Sequence, residues 1–377
     1  MASLVSVIIP CYNRGSLLRQ ALASCALQTH RDLEIIVVDD GSEEDLRAVV
    51  DGARDEHRLG SQLQYVHQER GGGASARNCG FRKASGQFIQ FLDSDDLLHP
   101  DKLTIQVAQL AGNAHLDMVF CLDEQFAEIP GDLRLLWNVP RRSDASDHLS
   151  RFLVEDTVWQ TGSPLWRRTA LERIGPWDES LRCWQDWDLH VRALSAGLRC
   201  ECSVRVLQYL RQHRGPRVQA LSPPERERHC FQAGKNAHGY LSRNGLLDSE
   251  RQSLILRYFV KHLVSVTDAD DNQLRGLRVE MLTFMQDLAL TRKRRLAIGI
   301  MRMLASTPLF TTALNAYLAQ TSYEARVQSL RNIVYGEFLA PPPEELTNVV
   351  RQPERRCAAA TIRSEIDGAS APGSPSF

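Results

Sequence analysis

Two acidic clusters carry residue types that could do chemistry together. Asp39-Asp40 closes the apolar run Leu33 to Val38, and Asp93-Ser94-Asp95-Asp96 closes Phe88 to Leu92. Carboxylates crowded into one place repel, so they need a cation or a donor-rich ligand. Paired Asp residues on short turns are hard oxygen ligands. They suit Mg2+ or Mn2+, ions that combine few carboxylates with phosphate oxygens and water. A cation held in this way bridges a diphosphate and neutralises it as a leaving group. Asp40 could accept a hydrogen bond from a base N–H, and Arg77 offers a fixed planar donor for a base carbonyl or a phosphate. Taken singly, Asp39-Asp40-Gly41-Ser42 is also an ordinary turn with a helix cap at Ser42. Only the meeting of the two clusters turns two such turns into a site.

The elements that must bring them together alternate in type. Leu4 to Ile9, Leu33 to Val38, Leu63 to Val66, Phe88 to Leu92 and Met118 to Cys121 are short apolar runs that read as buried strands. Ser16 to Leu27, Glu43 to Ala53, Ala74 to Ala84 and Leu103 to Leu110 have helical spacing. Strand and helix in alternation predict an α/β, Rossmann-like, mostly parallel sheet flanked by helices. In such a sheet the carboxyl ends of the strands face the ligand crevice. Tyr12-Asn13, Asp39-Asp40 and Asp93-Ser94-Asp95 all sit at such ends. Gly71-Gly72-Gly73 is neither a Walker loop nor a dinucleotide fingerprint, because no Gly-Lys-Ser/Thr follows it and it does not follow the first strand. It reads as a turn that lets backbone approach a ligand.

Composition sets the frame. The chain has 377 residues, 45 Lys plus Arg and 46 Asp plus Glu, for a formal charge of −1. That excludes collagen-like and wholly disordered classes and argues against general nucleic-acid binding. The length suggests two domains at about 150 residues each. Nine cysteines without framework spacing read as reduced thiols, which points to a cytoplasmic protein. Met1 to Pro10 lacks a basic n-region and reads as a strand rather than a secretory signal. Met303 to Tyr323 is long and uncharged but too polar for a bilayer span, and reads as a buried or interfacial helix.

Four motifs follow one another in order: Val5-Ser-Val-Ile-Ile-Pro-Cys-Tyr-Asn13, Ile36-Val-Val-Asp-Asp-Gly-Ser42, Ala74-Ser-Ala-Arg-Asn-Cys-Gly80 and Phe91-Leu-Asp-Ser-Asp-Asp96. Together they resemble family 2 glycosyltransferases, inverting enzymes of GT-A fold, over roughly residues 4 to 215. The resemblance implies a nucleotide-sugar donor, usually a UDP-sugar, and Mn2+ or Mg2+. By position, Pro10, Tyr12 and Asn13 would flank the nucleotide, Asp40 would bind the base and Arg77 would assist. Asp93-Ser94-Asp95 would be the Asp-X-Asp motif, with Asp93 near the ribose, Ser94 beside the nucleotide and Asp95 on the metal. His213 would complete the metal shell, as a His at about this place does in some relatives.

The resemblance continues at Trp184-Gln-Asp-Trp-Asp-Leu-His190, where the family carries an acidic pair before a helix. Here the first acid is Gln185. Asp186 occupies the position that resembles the catalytic base. In-line displacement at the anomeric carbon needs one carboxylate to take the acceptor proton. Asp188 is the nearby competitor, but two residues apart on a helix the side chains diverge. Five of the six tryptophans lie between Trp159 and Trp187. Most read as core; Trp184 and Trp187, with Gln185, are candidates for an acceptor wall.

From Pro223 the pattern is helical: Glu225 to Leu241, Glu250 to Val266, Asn272 to Leu290 and Lys293 to Ala305, with breaks at Asn244-Gly245, Asp268 to Asp271 and Pro308. The expected organisation is a catalytic domain at 1–220, a helical region at 221–340 and a largely disordered tail at 341–377. The acceptor would be a glycan, a lipid-linked molecule or another hydroxyl compound. The helical region could bind acceptor, join subunits or, through Arg292-Lys-Arg-Arg295, touch an anionic membrane at its inner face. A nucleotidyltransferase would need a basic triphosphate signature near the first turn, where only Arg14 stands. A catalytically inactive donor-binding relative is the other alternative, suggested by Gln185.

Overall fold

The computed structural model describes residues 3–137, 148–212, 221–267, 272–288, 291–307, 309–321 and 342–351. The strands are β1 (Val5–Cys11), β2 (Leu33–Asp40), β3 (Leu63–Gln68), β4 (Phe88–Phe91), β5 (Leu97–Leu98), β6 (Met118–Phe126), β7 (Leu135–Leu136), β8 (Leu165–Arg167) and β9 (Cys200–Arg211). Among them run α1 (Gly15–Ala26), α2 (Leu46–Glu56), α3 (Gly73–Lys83), α4 (Lys102–Gly112), α5 (His148–Leu153), α6 (Arg168–Ile174) and α7 (Gln185–Ser195). The rest is helical: α8 (Pro223–Arg243), α9 (Ser249–Ser265), α10 (Asn272–Leu288), α11 (Arg292–Leu304), α12 (Leu309–Thr321) and α13 (Glu344–Arg351).

The strands form one sheet in the order β3-β2-β1-β4-β8-β6-β9-β5, with β7 added on β6. β3, β2, β1 and β4 are parallel, β8 runs antiparallel to both β4 and β6, and β6 pairs parallel with β9. The strictly parallel part is thus confined to one half. Every position of β2 is buried, as expected for a Val/Ile-rich strand covered on both faces. The chain goes outward from β1 to β2 and β3 and then returns to the other side of β1 with β4. β1 is therefore a topological switch point, where loops diverge and open a crevice at the strand ends.

Local chemistry sets the positions. Asp45, not Ser42, caps α2 by accepting from Ala48 N at 3.0 Å, and the helix begins later than the sequence pattern suggests. Ser42 is taken by Asn13, whose backbone N–H donates to its hydroxyl at 3.0 Å. Gly80 lets α3 close on the sheet: a Cβ there would meet Ile8 Cγ2 at 2.4 Å. Ser222 and Glu225 form a capping box with Pro223 in the first turn, which starts α8 sharply.

The large core runs from the β4–β8–β6 side of the sheet through α5–α7 into the helical layer. Trp159, Trp166 and Trp177 are buried in it. α8 packs on α7, α9 packs on α5, α8–α10 pack on one another, and α11 packs on α10. The expected breaks at 268–271 and Pro308, and the expected disorder of 358–377, lie outside the described residues. Residues 344–351, expected within the tail, form α13, whose Leu346 is fully buried with Leu97, Phe126 and Tyr209.

Candidate functional site

A cleft of about 370 Å³ opens at the ends of β1, β2 and β4. Pro10, Tyr12, Asp40, Arg77, Asp93, Ser94, Asp95 and Gln185, all expected from the sequence, line it. Asp96, of the same acidic cluster, lines it as well, and Arg14, Arg70, Trp137, Gln160 and Arg211 line it without having been anticipated as site residues. Four guanidiniums (Arg14, Arg70, Arg77, Arg211) thus face four carboxylates (Asp40, Asp93, Asp95, Asp96). A cleft of that composition suits a polyanion accompanied by a cation.

Each acid has a distinct setting. Asp40 is nearly buried and accepts from Gly71 N, Gly72 N and Gln68 Nε2, each at 2.8 Å. A carboxylate has about four acceptor positions, so this leaves room for one more donor. The glycine run is therefore held by Asp40 and carries backbone to the cleft edge. Asp39 points elsewhere, accepting from Ser42 N at 2.9 Å and Tyr65 OH at 2.6 Å. Asp95 pairs with Arg14, while Arg211 Nε donates to the Asp95 carbonyl at 3.0 Å. Asp96 accepts from Arg211 N at 2.9 Å. Burial, then the charges of Asp95 and Asp93, push its carboxyl well above the usual range. The carboxylates gathered here are hard-oxygen donors, Asp95 and Asp93 each paired with a guanidinium. Asp95 accordingly fits Mg2+ or Mn2+ in donor type and charge, with Arg14 the cation that such an ion would displace.

Arg77 is the hub. Its Nη2 donates to Asp93 Oδ1 at 2.6 Å and its Nη1 to Gln185 Oε1 at 3.2 Å. Its guanidinium also lies 4.7 Å from the centre of the Trp177 ring. Gln185 Nε2 in turn donates to the Leu181 carbonyl at 2.6 Å. α3, the β4 turn and the start of α7 are fixed together in this way. Tyr12 is covered by Arg70, whose guanidinium carbon sits 3.2 Å from the ring centre.

The start of α7 separates the two candidate bases. Asp188 is fully buried and points into the helical layer, where it accepts from Asn236 Nδ2 and Tyr240 OH, each at 3.0 Å. Asp186 is half-buried, follows the cleft-lining Gln185 without itself lining the cleft, and accepts from Trp187 N at 2.9 Å. Burial raises its pKa, and the nearby Arg77 charge partly offsets that. Trp184 precedes them in the left-handed conformation, at φ 63°.

Three expected placements change. Asn13 does not line the cleft: its Oδ1 accepts from Glu43 N at 2.8 Å, so it clips the β1 turn to the β2 turn. Trp187 is 4% exposed, stacks on Tyr258 at 5.0 Å and donates to the Phe152 carbonyl, so it is core and not an acceptor wall. Trp184 turns edge-on to Trp187, Tyr258 and His262, which places it in the joint with the helical layer. His213 lies outside the described residues.

Residues 6–157 match the model of glycosyl transferase family 2. This part of the chain is a family 2 glycosyltransferase domain. An uncharacterised glycosyltransferase of Rickettsia prowazekii is 31% identical over 187 residues, 49% of this chain and 57% of that protein. Another, from Rickettsia bellii, is 44% identical over 109 residues, 29% of this chain and 15% of its own. The chain thus spans about half of one relative and a small part of the other. A crystal structure of S. aureus TarS 1-349 in complex with UDP-GlcNAc superposes with a TM-score of 0.63 at 18% identity, covering 84% of this chain and 92% of that one. The shared architecture is that of GT-A glycosyltransferases, with a helical region after the glycosyltransferase domain. No described helix is long and apolar enough to cross a membrane.

The arginines unanticipated in the cleft had weak signals. Arg70 precedes the glycine run and Arg14 follows the first turn, positions where a basic residue can reach a bound anion. Arg211 ends a strand whose register no local pattern reveals.

Proposed function

We propose that the chain transfers a sugar from a nucleoside diphosphate sugar, of the UDP class, to an acceptor hydroxyl with inversion. The observation that carries this reading is the convergence of Asp40, Arg77, Asp93 and Asp95 in one cleft, with Asp186 beside it. The UDP-GlcNAc in the TarS complex supports the choice of donor class.

Asp40 accepts from the base with its remaining lone pair, while the Gly71-Gly72 backbone that it holds lines the nucleotide. Tyr12 and Pro10 flank the base, and Arg77 fixes Asp93 towards the ribose. Asp95 would hold Mn2+ or Mg2+, which supplies charge neutralisation of the departing diphosphate. His213, expected in that shell by family position, is a further candidate ligand. Arg14, Arg70 and Arg211 stabilise the same negative charge as it develops. The acceptor oxygen attacks the anomeric carbon, the bond to the diphosphate oxygen breaks, and the acceptor proton passes to Asp186. Gln185 orients Arg77 and borders the acceptor side. Residues 1–220 form the catalytic unit in this reading, and the helical residues that follow bind acceptor or join subunits.

Calorimetric titration of UDP, with Mn2+ and then with a chelator, tests the donor site. Metal-dependent binding together with sugar release from a UDP-sugar is the expected result. No binding of any nucleoside diphosphate by the folded protein would refute it. Binding without transfer to any acceptor would favour an inactive donor-binding relative, the alternative that Gln185 suggests.

A further inference from the structure

Helix α11 presents a face that the other described residues leave uncovered. Ile298, Met301 and Ala305 point into the core. On the opposite side Leu296 is 67% exposed, Ile300 43% and Met303 74%, and Leu309, at the start of α12, is 60% exposed. Leu296, Ile300 and Met303 recur at the i, i+4, i+7 spacing of one helical stripe. Large apolar side chains gathered in this way are unusual on a surface that meets only water.

The charges around the stripe identify what meets it. Arg292, Lys293, Arg294, Arg295 and Arg302 are the only charged residues between Asp287 and Glu324. Arg292, Lys293, Arg295 and Arg302 are exposed along with the stripe. An apolar stripe flanked by cations, in a run with no acid between Asp287 and Glu324, matches a helix lying in the headgroup region of an anionic bilayer. A protein partner would have to match apolar and basic groups at fixed positions; a bilayer offers hydrocarbon beneath a diffuse negative surface.

We propose that α11 is an interfacial helix that holds this protein against an anionic lipid surface, with Leu296, Ile300 and Met303 entering the headgroup boundary. The proposal does not depend on the donor-site reading, because α11 packs on α10 and is separated from α7 by α8–α10.

Flotation of the full chain with vesicles tests it without any donor or acceptor. Vesicles of phosphatidylcholine alone are compared with vesicles containing about a quarter phosphatidylglycerol. The expected result is at least about tenfold stronger binding to the anionic vesicles, weakening as salt rises from about 0.1 to about 0.5 M. Leu296→Ser with Met303→Ser should lose binding at every salt concentration. Arg292→Glu with Lys293→Glu should lose the preference for anionic lipid. These positions are exposed, so circular dichroism should show both variants folded. Equal binding to both vesicle types, or undiminished binding by either variant, would overturn the proposal. So would failure to float accompanied by dimers that the Leu296→Ser, Met303→Ser variant converts to monomers, because the face would then be a contact between two copies.

Discussion

Arg77 Nη2 lies 2.6 Å from Asp93 Oδ1, joining the helix after the glycine loop to the turn after β4. With the Arg77 bond to Gln185, the pair ties the acidic end of β4 to α3 and to the start of α7. Arg77 is nearly buried and stacked over Trp177, so its guanidinium is held in one orientation. A lysine offers neither the planar fork nor the stacking geometry.

Arg77→Lys should therefore weaken UDP binding by roughly 10- to 100-fold, the loss of about 1.5–3 kcal/mol for a charge-assisted hydrogen bond. Calorimetry measures this directly. Binding unchanged within twofold would show that Arg77 does not organise the donor site.

The two acids of α7 should separate in their variants. Asp186→Asn should retain UDP binding and lower transfer by about 10²- to 10⁴-fold, the usual contribution of a positioned general base. The carboxyl must be ionised to accept a proton, and burial raises its pKa. Transfer should accordingly fall as pH drops through a value above the ordinary carboxylate range, and this limb should vanish in the variant. Asp188→Ala should act on stability instead, because it leaves Asn236, Tyr240 and Arg192 without their shared acceptor. A loss of about 1–3 kcal/mol in chemical denaturation is expected.

His262 sits between Glu227 at 2.7 Å and Glu155 at 3.3 Å, and Lys261 also pairs with Glu155. Burial opposes the imidazolium charge, but the two carboxylates outweigh it and raise the His262 pKa. Burial likewise opposes the Glu155 charge, and His262 and Lys261 outweigh it and lower the Glu155 pKa. The raised group contributes stability below its ordinary value of 6.5 and loses it as pH rises through the folded value. The lowered group contributes above its ordinary 4.5 and loses that as pH falls through its folded value. The network should stabilise most between those ordinary values. His262→Gln should cost about 3–5 kcal/mol near pH 5.5 and less at alkaline pH, read from urea unfolding. A constant difference across pH would exclude a charged His262.

The half of the site built from strand ends was legible because short apolar runs terminated by Asp fix both element and location. Asp39 and Asp40 show the limit: successive strand side chains point to opposite faces, and the partner over each face, Tyr65 or the glycine loop, comes from elsewhere in the chain. Asn13 and Trp187 were misplaced for a similar reason. Their partners, Glu43 and Phe152, are 30 and 35 residues away, so no local pattern reports them. The Asp45 cap lost out to Ser42 in the sequence because both are good cap residues. Ser42 was already engaged by Asn13, a contact visible only in three dimensions. The helical region was legible as helices but not as surfaces, because periodicity marks a buried face and does not say what meets the other one.

Arg14 and Asp95 form an ion pair at the mouth of the cleft, with about a sixth of each side chain exposed. A dication binding to Asp95 has to displace that guanidinium, so the pair competes with the metal. Arg14→Met removes the competitor and keeps an unbranched apolar stem. In the absence of nucleotide, Mn2+ should bind this variant a few-fold more tightly, in line with the roughly 1 kcal/mol of a partly exposed ion pair. With UDP present the order should reverse, because Arg14, once displaced, lies among the arginines available to the diphosphate. Manganese titration followed by electron paramagnetic resonance, with and without UDP, reads both arms. Weaker Mn2+ binding in both arms would mean that Arg14 holds Asp95 in the geometry the metal needs. Unchanged binding in both would remove Asp95 from the metal site.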